Sequence, residues 1–284
     1  MKNISRRFLV RAGLYSLMPA LCSQVAAIGR AASPRIDVSP ACTEFAYVNS
    51  FVDAYARANT IESGAALRII GIDDFLMDPP SAGRTVIALV GAMPFVVAVN
   101  FRGDPTVNAP RGLVARLATG DSNIKCGSNG FQSLGYLAAR LFARMTETNI
   151  SHQQYSSEDD CWKALDAGEV QLVFGALNKC LPYVAAGRIL PIAIANWKRA
   201  PVYPGLPTFG EHGVPGFEVA RWQVLSVETC PEQELVAARA AEIISQESIK
   251  SMTVQLGSAA PQYIGREAQV FVKTEMHRWR AIAS

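Results

Sequence analysis

The stretch that decides the fold has the sequence Ile-Lys-Cys-Gly-Ser-Asn-Gly-Phe-Gln-Ser over residues 124–133 and continues as Leu-Gly-Tyr-Leu-Ala-Ala-Arg-Leu-Phe-Ala-Arg-Met over 134–145. A strand end, a turn with two glycines and apolar residues at helical spacing predict a strand–turn–helix unit. Ser133 is placed to cap the helix, because its hydroxyl can accept a hydrogen bond from the first turn. No acidic residue occurs between Gly127 and Thr146. The free N–H groups of the helix start therefore predict a seat for an anion, although an ordinary connection would have the same pattern.

Strand and helix patterns alternate on both sides of this unit. The strands are predicted at residues 34–39, 67–72, 150–155, 170–174 and 189–195, with more inside the apolar run 85–99. Gly91 and Pro94 interrupt that run, so we divide it into two successive buried strands. Helical patterns separate the strands, and the C-terminal part from residue 232 is helical. The alternation predicts an α/β fold with mostly parallel sheets, whose ligands bind at the carboxyl ends of the strands.

Two helix starts carry further local signals. Asn178 precedes a helical pattern that ends at Gly187, and its side chain is suited to the N-cap position. Thr208 and Glu211 have the spacing of a capping box, in which each side chain bonds the backbone of the other. Gly213 follows where the short helix should end. We expect a cap at each of these two places.

The first 31 residues have the pattern of an export signal. They carry five of the 27 basic residues and no acid, and a short apolar run follows the basic start. Ser5-Arg6-Arg7-Phe8-Leu9 nearly matches a twin-arginine motif, so either the twin-arginine or the Sec route fits. The remaining chain has 22 basic and 24 acidic residues, a net charge of −2. We expect a periplasmic protein that binds neither nucleic acid nor a membrane surface.

Cysteine usage bears on disulfides and metals. Beyond residue 31 the cysteines are Cys42, Cys126, Cys161, Cys180 and Cys230. An odd number in an oxidising compartment leaves at least one free thiol unless a bridge forms between molecules. Cys161 and Cys180 lie near the starts of successive predicted helices, so we predict that these two pair. No CxxC or HExxH spacing occurs, and we expect no metal and no cofactor.

Several blocks resemble a known family. They are the loop Cys126–Gly130, the run Leu165–Val170, the segment Leu181–Arg188, the block Leu206–Glu218, and Trp222 on a returning strand. In these blocks the chain resembles the Bug-type solute-binding proteins of tripartite tricarboxylate transporters. The resemblance extends from about residue 85 to the C-terminus, and no gap is needed between residues 150 and 218.

The resemblance implies a two-domain, periplasmic-binding-protein-like (type II) fold with a cleft between the domains. Residues 32–99 and 222–284 would form one domain and residues 100–221 the other, joined by crossover strands. The cleft would hold a small carboxylate through backbone amides and waters, with the helix start near residue 130 facing open space. Membrane permease subunits would be the docking partner. We further expect a monomer that is not an enzyme.

The chain departs from the family pattern at several positions. The family's glycine-rich loop after the first strand, one of its two ligand clamps, has no match, and Ser39–Thr43 occupies the nearest place. Gln132 stands where a second glycine is usual. An acidic residue often found after a valine-rich strand is replaced by Gly175. Residues 158–160 are all acidic and oppose an anion at the helix start that they occupy.

Candidate ligand residues come from four places. The loop supplies Ser128, Asn129, Gly130, Phe131 and Ser133, which are turn residues in the alternative interpretation. Thr43 and Cys42 form a possible replacement for the missing clamp. Tyr155 and Trp222 complete the set, with domain packing and a core or hinge position as their respective alternatives.

The favoured function is a solute receptor that closes on a small organic acid. One alternative is a sensing or interaction protein on the same fold, suggested by the missing clamp. The other is a hydrolase with Cys126 as nucleophile and His152 as base. No third residue that would orient His152 is visible in the sequence.

Overall fold

The computed structural model describes residues 36–43, 45–58, 66–77, 83–100, 106–121, 123–228, 231, 233–255 and 263–284. The predicted export signal and Cys230 lie outside these residues. Within them, no helix is both long enough and apolar enough to cross a membrane.

Eight strands of the described residues form one mixed sheet. They are β1 (Ile36–Val38), β2 (Leu67–Gly71), β3 (Arg84–Val99), β4 (Lys125–Ser128), β5 (Ser151–Gln154), β6 (Leu172–Ala176), β7 (Leu190–Ile194) and β8 (Ala220–Glu228). Their order is β1-β2-β8-β3-β6-β4-β5, and β7 also pairs with β3. The pairs β1–β2, β4–β5 and β4–β6 are parallel, whereas β3 and β8 run antiparallel to their neighbours. This arrangement confirms the predicted α/β class.

The apolar run forms a single strand, so the prediction of two successive strands is wrong. β3 pairs with β8 from Arg84 to Pro94 and then with β6 and β7 from Phe95 onward. Pro94 lies where the strand changes partners, a position that tolerates its missing N–H. At Gly91 a Cβ atom would lie 2.4 Å from the ring of Tyr47. The glycine therefore permits close packing and does not end the strand.

β3 thus joins two groups of strands, β1, β2 and β8 on one side and β4–β7 on the other. β8 returns beside its first half, and the candidate loop lies at the end of β4. The division at residues 99/100 and 221/222 stays a prediction.

Nine α-helices of the described residues cover the sheet. They are α1 (Ala46–Arg57), α2 (Ile72–Met77), α3 (Pro110–Ala118), α4 (Leu134–Thr146), α5 (Glu158–Ala167), α6 (Leu177–Ala185), α7 (Gln233–Ile244), α8 (Glu247–Gln255) and α9 (Arg266–Ala283). Short 3₁₀ turns occur at Pro40–Cys42 and Gly210–His212.

The predicted capping box is confirmed. The N–H of Thr208 donates to Glu211 Oε2 at 2.6 Å, and the N–H of Glu211 donates to Thr208 Oγ1 at 3.2 Å. Arg199 also bonds the Glu211 carboxylate, and these donors together lower the pKa of Glu211 to about 2. Gly213 follows in the left-handed conformation with φ +85°, as expected of a glycine at a helix end.

An aromatic cluster fixes α4 against the sheet. Phe142 of α4 lies 5.5 Å from Phe174, 5.6 Å from Phe209 and 5.5 Å from Phe217, measured between ring centres. All four rings are buried. Their edge-to-face and tilted geometry is favourable beyond the area that they bury. The cluster therefore holds the helix that follows the candidate loop in a fixed place.

The predicted Cys161–Cys180 disulfide is wrong. Cys161 and Cys180 are both free and buried, and so is Cys126. The thiol of Cys161 points back to its own helix start and donates to the carbonyl of Ser157 at 3.3 Å. Two cysteines can occupy equivalent positions at the starts of successive helices without their side chains being in contact.

Candidate functional site

The β4–α4 loop has the local structure that its sequence predicts. The hydroxyl of Ser133 accepts from the N–H of Tyr136 at 3.3 Å and donates to the carbonyl of Gly130 at 2.7 Å. The predicted N-cap is therefore confirmed. Gly130 has φ +112°, which a residue with a side chain rarely adopts. The serine and the glycine together set the direction in which the chain leaves β4 and enters α4.

Ser128 and Asn129 face a narrow cleft whose other wall comes from α5, β6 and β8. Gly135 of α4, Glu158 of α5 and Arg221 of β8 line the same space. No part of this space is wide enough to hold a water molecule. The described residues that line this cleft therefore leave no open space beside Ser128 and Asn129, where the sequence predicted such a space.

The centre of the cleft is a buried arginine between two carboxylates. Arg221 Nε lies 2.8 Å from Asp73 Oδ2, and Arg221 Nη1 lies 2.6 Å from Glu158 Oε2. The Arg221 side chain is 8% exposed. Its guanidinium also lies 5.6 Å from the ring centre of Phe95, within cation–π range. Asp73 belongs to α2, which directly follows β2, and Glu158 belongs to α5, which follows β5. Arg221 therefore links the two groups of strands across the cleft.

The carboxylate of Glu158 occupies a second helix start. Its Oε1 accepts from the N–H of Ala176 at 2.9 Å and from Trp162 Nε1 at 3.3 Å. Ala176 is the N-cap residue of α6, so the predicted cap at Asn178 is wrong. Ala176 has no side-chain acceptor of its own, so the carboxylate of Glu158, from the preceding helix, acts as the cap. The combination of a helix N–H and a guanidinium is a carboxylate-binding arrangement.

Gly175 makes room for this carboxylate. A Cβ atom at that position would lie 2.7 Å from Glu158 Oε1 and 2.6 Å from Trp162 Cζ2. The glycine that departs from the family pattern is therefore tied to the position of Glu158. The absence of a side chain at Gly175 and the position of the Glu158 carboxylate depend on each other.

An internal carboxylate also bonds Ser39, in the segment nearest to the missing first clamp. Asp74 Oδ1 accepts from the hydroxyl of Ser39 at 2.6 Å, and Oδ2 accepts from the N–H of Gly71 at 2.8 Å. Cys42 is buried beside Gly71, where a Cβ atom would lie 3.1 Å from its sulfur. Thr43 is exposed and bonds the carbonyl of Pro40.

The other predicted ligand residues lie outside the cleft lining. Phe131 is 65% exposed and lies edge-on to Tyr136, with ring centres 5.1 Å apart. The hydroxyl of Tyr155 donates to Glu169 at 3.4 Å. Trp222 is fully buried and lies 5.2 Å from the ring of Phe75. Roles for these residues in ligand binding stay predictions.

No pattern in the sequence singled out Arg221 or Asp73, and Glu158 was expected only to oppose anions. A usable signal was present for the arginine. Arg221 interrupts an otherwise buried strand, and charged side chains are almost never fully buried unless they are paired. Its partners lie far away in sequence, and no local pattern points to them.

The structure also bears on Cys126 and His152, which are direct neighbours on β4 and β5. Burial raises the pKa of the Cys126 thiol, and the thiol donates to the carbonyl of Gly127 at 3.6 Å. Burial and the nearby charge of Arg140 lower the pKa of His152 to about 4. The thiol is therefore protonated near neutral pH, which is the opposite of what a nucleophile needs.

We predict that Cys126 in the native protein reacts with iodoacetamide at least about tenfold more slowly than free cysteine at pH 8, because the thiolate is the reactive form. Peptide mapping by mass spectrometry gives the rate. The same residue in protein unfolded in urea is the control and should react like free cysteine. A native rate above that of free cysteine would restore the hydrolase alternative.

Comparison with known proteins places this chain in a family. The model of the tripartite tricarboxylate transporter family receptor matches residues 80–248, more than half of the chain. The chain belongs to this family. The match includes β3, the β4–α4 loop, Glu158 and Arg221. Among curated proteins, no sequence matches this chain.

Solved structures confirm the periplasmic-binding-protein-like fold for this family member. A Rhodopseudomonas palustris protein solved with adipate is 22% identical, with a TM-score of 0.66 over 84% of this chain and 81% of that one. MatC from the same organism, solved with malate, is 22% identical, with a TM-score of 0.60 over 77% and 79%. A TctC solute-binding protein from Polaromonas is 17% identical, with a TM-score of 0.62 over 76% and 77%.

Proposed function

We propose that this receptor captures a small carboxylate-bearing metabolite in the periplasm and presents it to the membrane permease subunits of a tripartite tricarboxylate-type transporter. The observation that carries the proposal is the Glu158 carboxylate, held by Arg221 and by the N–H of Ala176. It marks a place in the cleft whose donors already bind a carboxylate. Malate and adipate, bound in the two structures from R. palustris, are dicarboxylates of the kind that this place would take.

A ligand carboxylate would have to compete with Glu158. It would take the guanidinium of Arg221 and the α6 helix start, while Glu158 turned away toward solvent. Ser128 and Asn129 lie on the opposite wall and supply polar groups for the rest of the ligand. Arg221 already has two acidic partners, so an added anion gains only when one of them leaves. In this proposal, competition with Glu158 for Arg221 lowers the affinity for a ligand carboxylate.

The test is calorimetric titration of malate and adipate into the wild-type protein and Glu158→Gln. Glutamine keeps the shape and an oxygen acceptor for the N–H of Ala176, but it removes the charge that competes for Arg221. We expect Glu158→Gln to bind one of the two acids about tenfold more tightly, equivalent to about 1.4 kcal/mol.

Asp159→Asn is the matched control. Asp159 follows Glu158 directly and pairs with Lys179 at 2.9 Å, so its loss removes the same charge without touching Arg221. Its effect on affinity should be less than about twofold, as for an exposed ion pair. The proposal fails if neither acid binds either protein, or if Asp159→Asn tightens binding as much as Glu158→Gln.

A further inference from the structure

A second cavity, separate from the cleft, lies between α9 and the sheet. Its volume is about 370 Å³, within the range of small-molecule sites. Ser226, which lines it, is five positions along β8 from Arg221, or about 16 Å at the rise of an extended strand. The cavity and the cleft have no lining residue in common. The cavity is therefore not part of the candidate site described above.

The floor of this cavity is apolar. Ile70 of β2, Phe75 of α2 and Met276 of α9 line it, and each is less than 8% exposed. Val86 of β3 adds a half-buried methyl surface. A ligand that entered would bury an apolar body against these side chains.

The rim is cationic. Lys273, His277 and Arg280 are exposed and stand at steps of four and three along α9, so they share one helical face. Arg84 faces them from β3, with its guanidinium held by the carbonyl of Ala66 at 3.0 Å. None of the described residues that line the cavity is acidic.

The exposed groups of the rim lack acidic partners in the described part of the chain. Arg84 has one, the Glu228 carboxylate at 3.5 Å, and that glutamate is 63% exposed. Lys273 and Arg280 form no ion pair within 4.0 Å with any described carboxylate. Among the described residues, therefore, no carboxylate neutralises the charges of Lys273 and Arg280.

We propose that this cavity is a second ligand site and that it binds an amphipathic carboxylate, with the apolar body on the floor and the carboxylate at Lys273 and Arg280. The apolar floor selects against small, fully polar acids such as malate. The cationic rim selects against neutral apolar molecules. This site is independent of the function proposed for the cleft, because it shares no residue with it.

Octanoate is the probe, and calorimetric titration measures its affinity. The wild-type protein should bind octanoate at least about tenfold more tightly than acetate, which has the charge without the body, and than 1-octanol, which has the body without the charge. The double variant Lys273→Gln with Arg280→Gln should bind octanoate about tenfold more weakly than the wild type. Both positions are exposed, so the variant keeps its fold, which circular dichroism checks.

Lys163→Gln is the matched control, since Lys163 is an equally exposed lysine on α5, away from the cavity. It should leave octanoate affinity unchanged. Three results would overturn the proposal: no binding of octanoate to the wild type, equal affinity for acetate, or unchanged affinity in the double variant. The last result would mean that octanoate binds elsewhere on the protein.

Discussion

Replacing Arg221 by methionine should lower the free energy of unfolding by about 3–5 kcal/mol. The substitution removes the only described cation within 4.0 Å of Glu158 and leaves two carboxylates in the cleft without their shared partner. Desolvated charges are costly when a partner is lost, even though an intact buried pair adds little net stability. Urea denaturation followed by far-ultraviolet circular dichroism measures the change.

Two further variants separate this explanation from a general effect of losing an arginine. Arg68→Met removes an ion pair with Asp37 whose side chains are 44% and 71% exposed, and it should cost less than about 1 kcal/mol. The triple variant Asp73→Asn, Glu158→Gln, Arg221→Met removes all three charges together and should recover most of the loss. A triple variant as unstable as Arg221→Met would show that packing, not unpaired charge, causes the effect.

Replacing Phe142 by alanine should cost about 3–5 kcal/mol of the free energy of unfolding. Its ring is fully buried among Phe174, Phe209 and Phe217, so removal leaves a cavity that these three rings would have to move to fill. The midpoint of urea denaturation should fall while its slope stays constant, as expected when stability alone changes.

Phe131→Ala is the control for this prediction. Phe131 precedes the same helix but is 65% exposed, and its loss should change stability by less than about 0.5 kcal/mol. A cost for Phe142→Ala below about 1 kcal/mol would show that the aromatic cluster does not hold α4 in place. The direction of the candidate loop would then depend on the Ser133 cap instead.

Sequence alone predicted those features that depend on residues close together in the chain. The strand, turn and helix around residues 124–145 are present, and Ser133 caps α4. The Thr208–Glu211 capping box forms as its spacing predicts. Each depends on hydrogen bonds that span three or four residues, so the local pattern contains all the information needed.

Predictions that depended on distant partners were less successful. The two strands expected in the run 85–99 are one, because β8 and then β6 and β7 supply partners along its whole length. The Asn178 cap failed because a glutamate from the preceding helix reaches the first N–H of α6. The Cys161–Cys180 pair does not form: both thiols are free and buried, and that of Cys161 bonds the carbonyl of Ser157.

The sequence by itself determined the α/β class, the family and the position of the loop that carries Ser128 and Asn129. Only the tertiary structure decided which helix start holds a negative charge. Every helix start offers free N–H groups, so their presence at α4 could not decide the matter. The packing of α2, α5 and β8 brings Asp73 and Glu158 each within 3 Å of Arg221, and the Glu158 carboxylate lies at the start of α6.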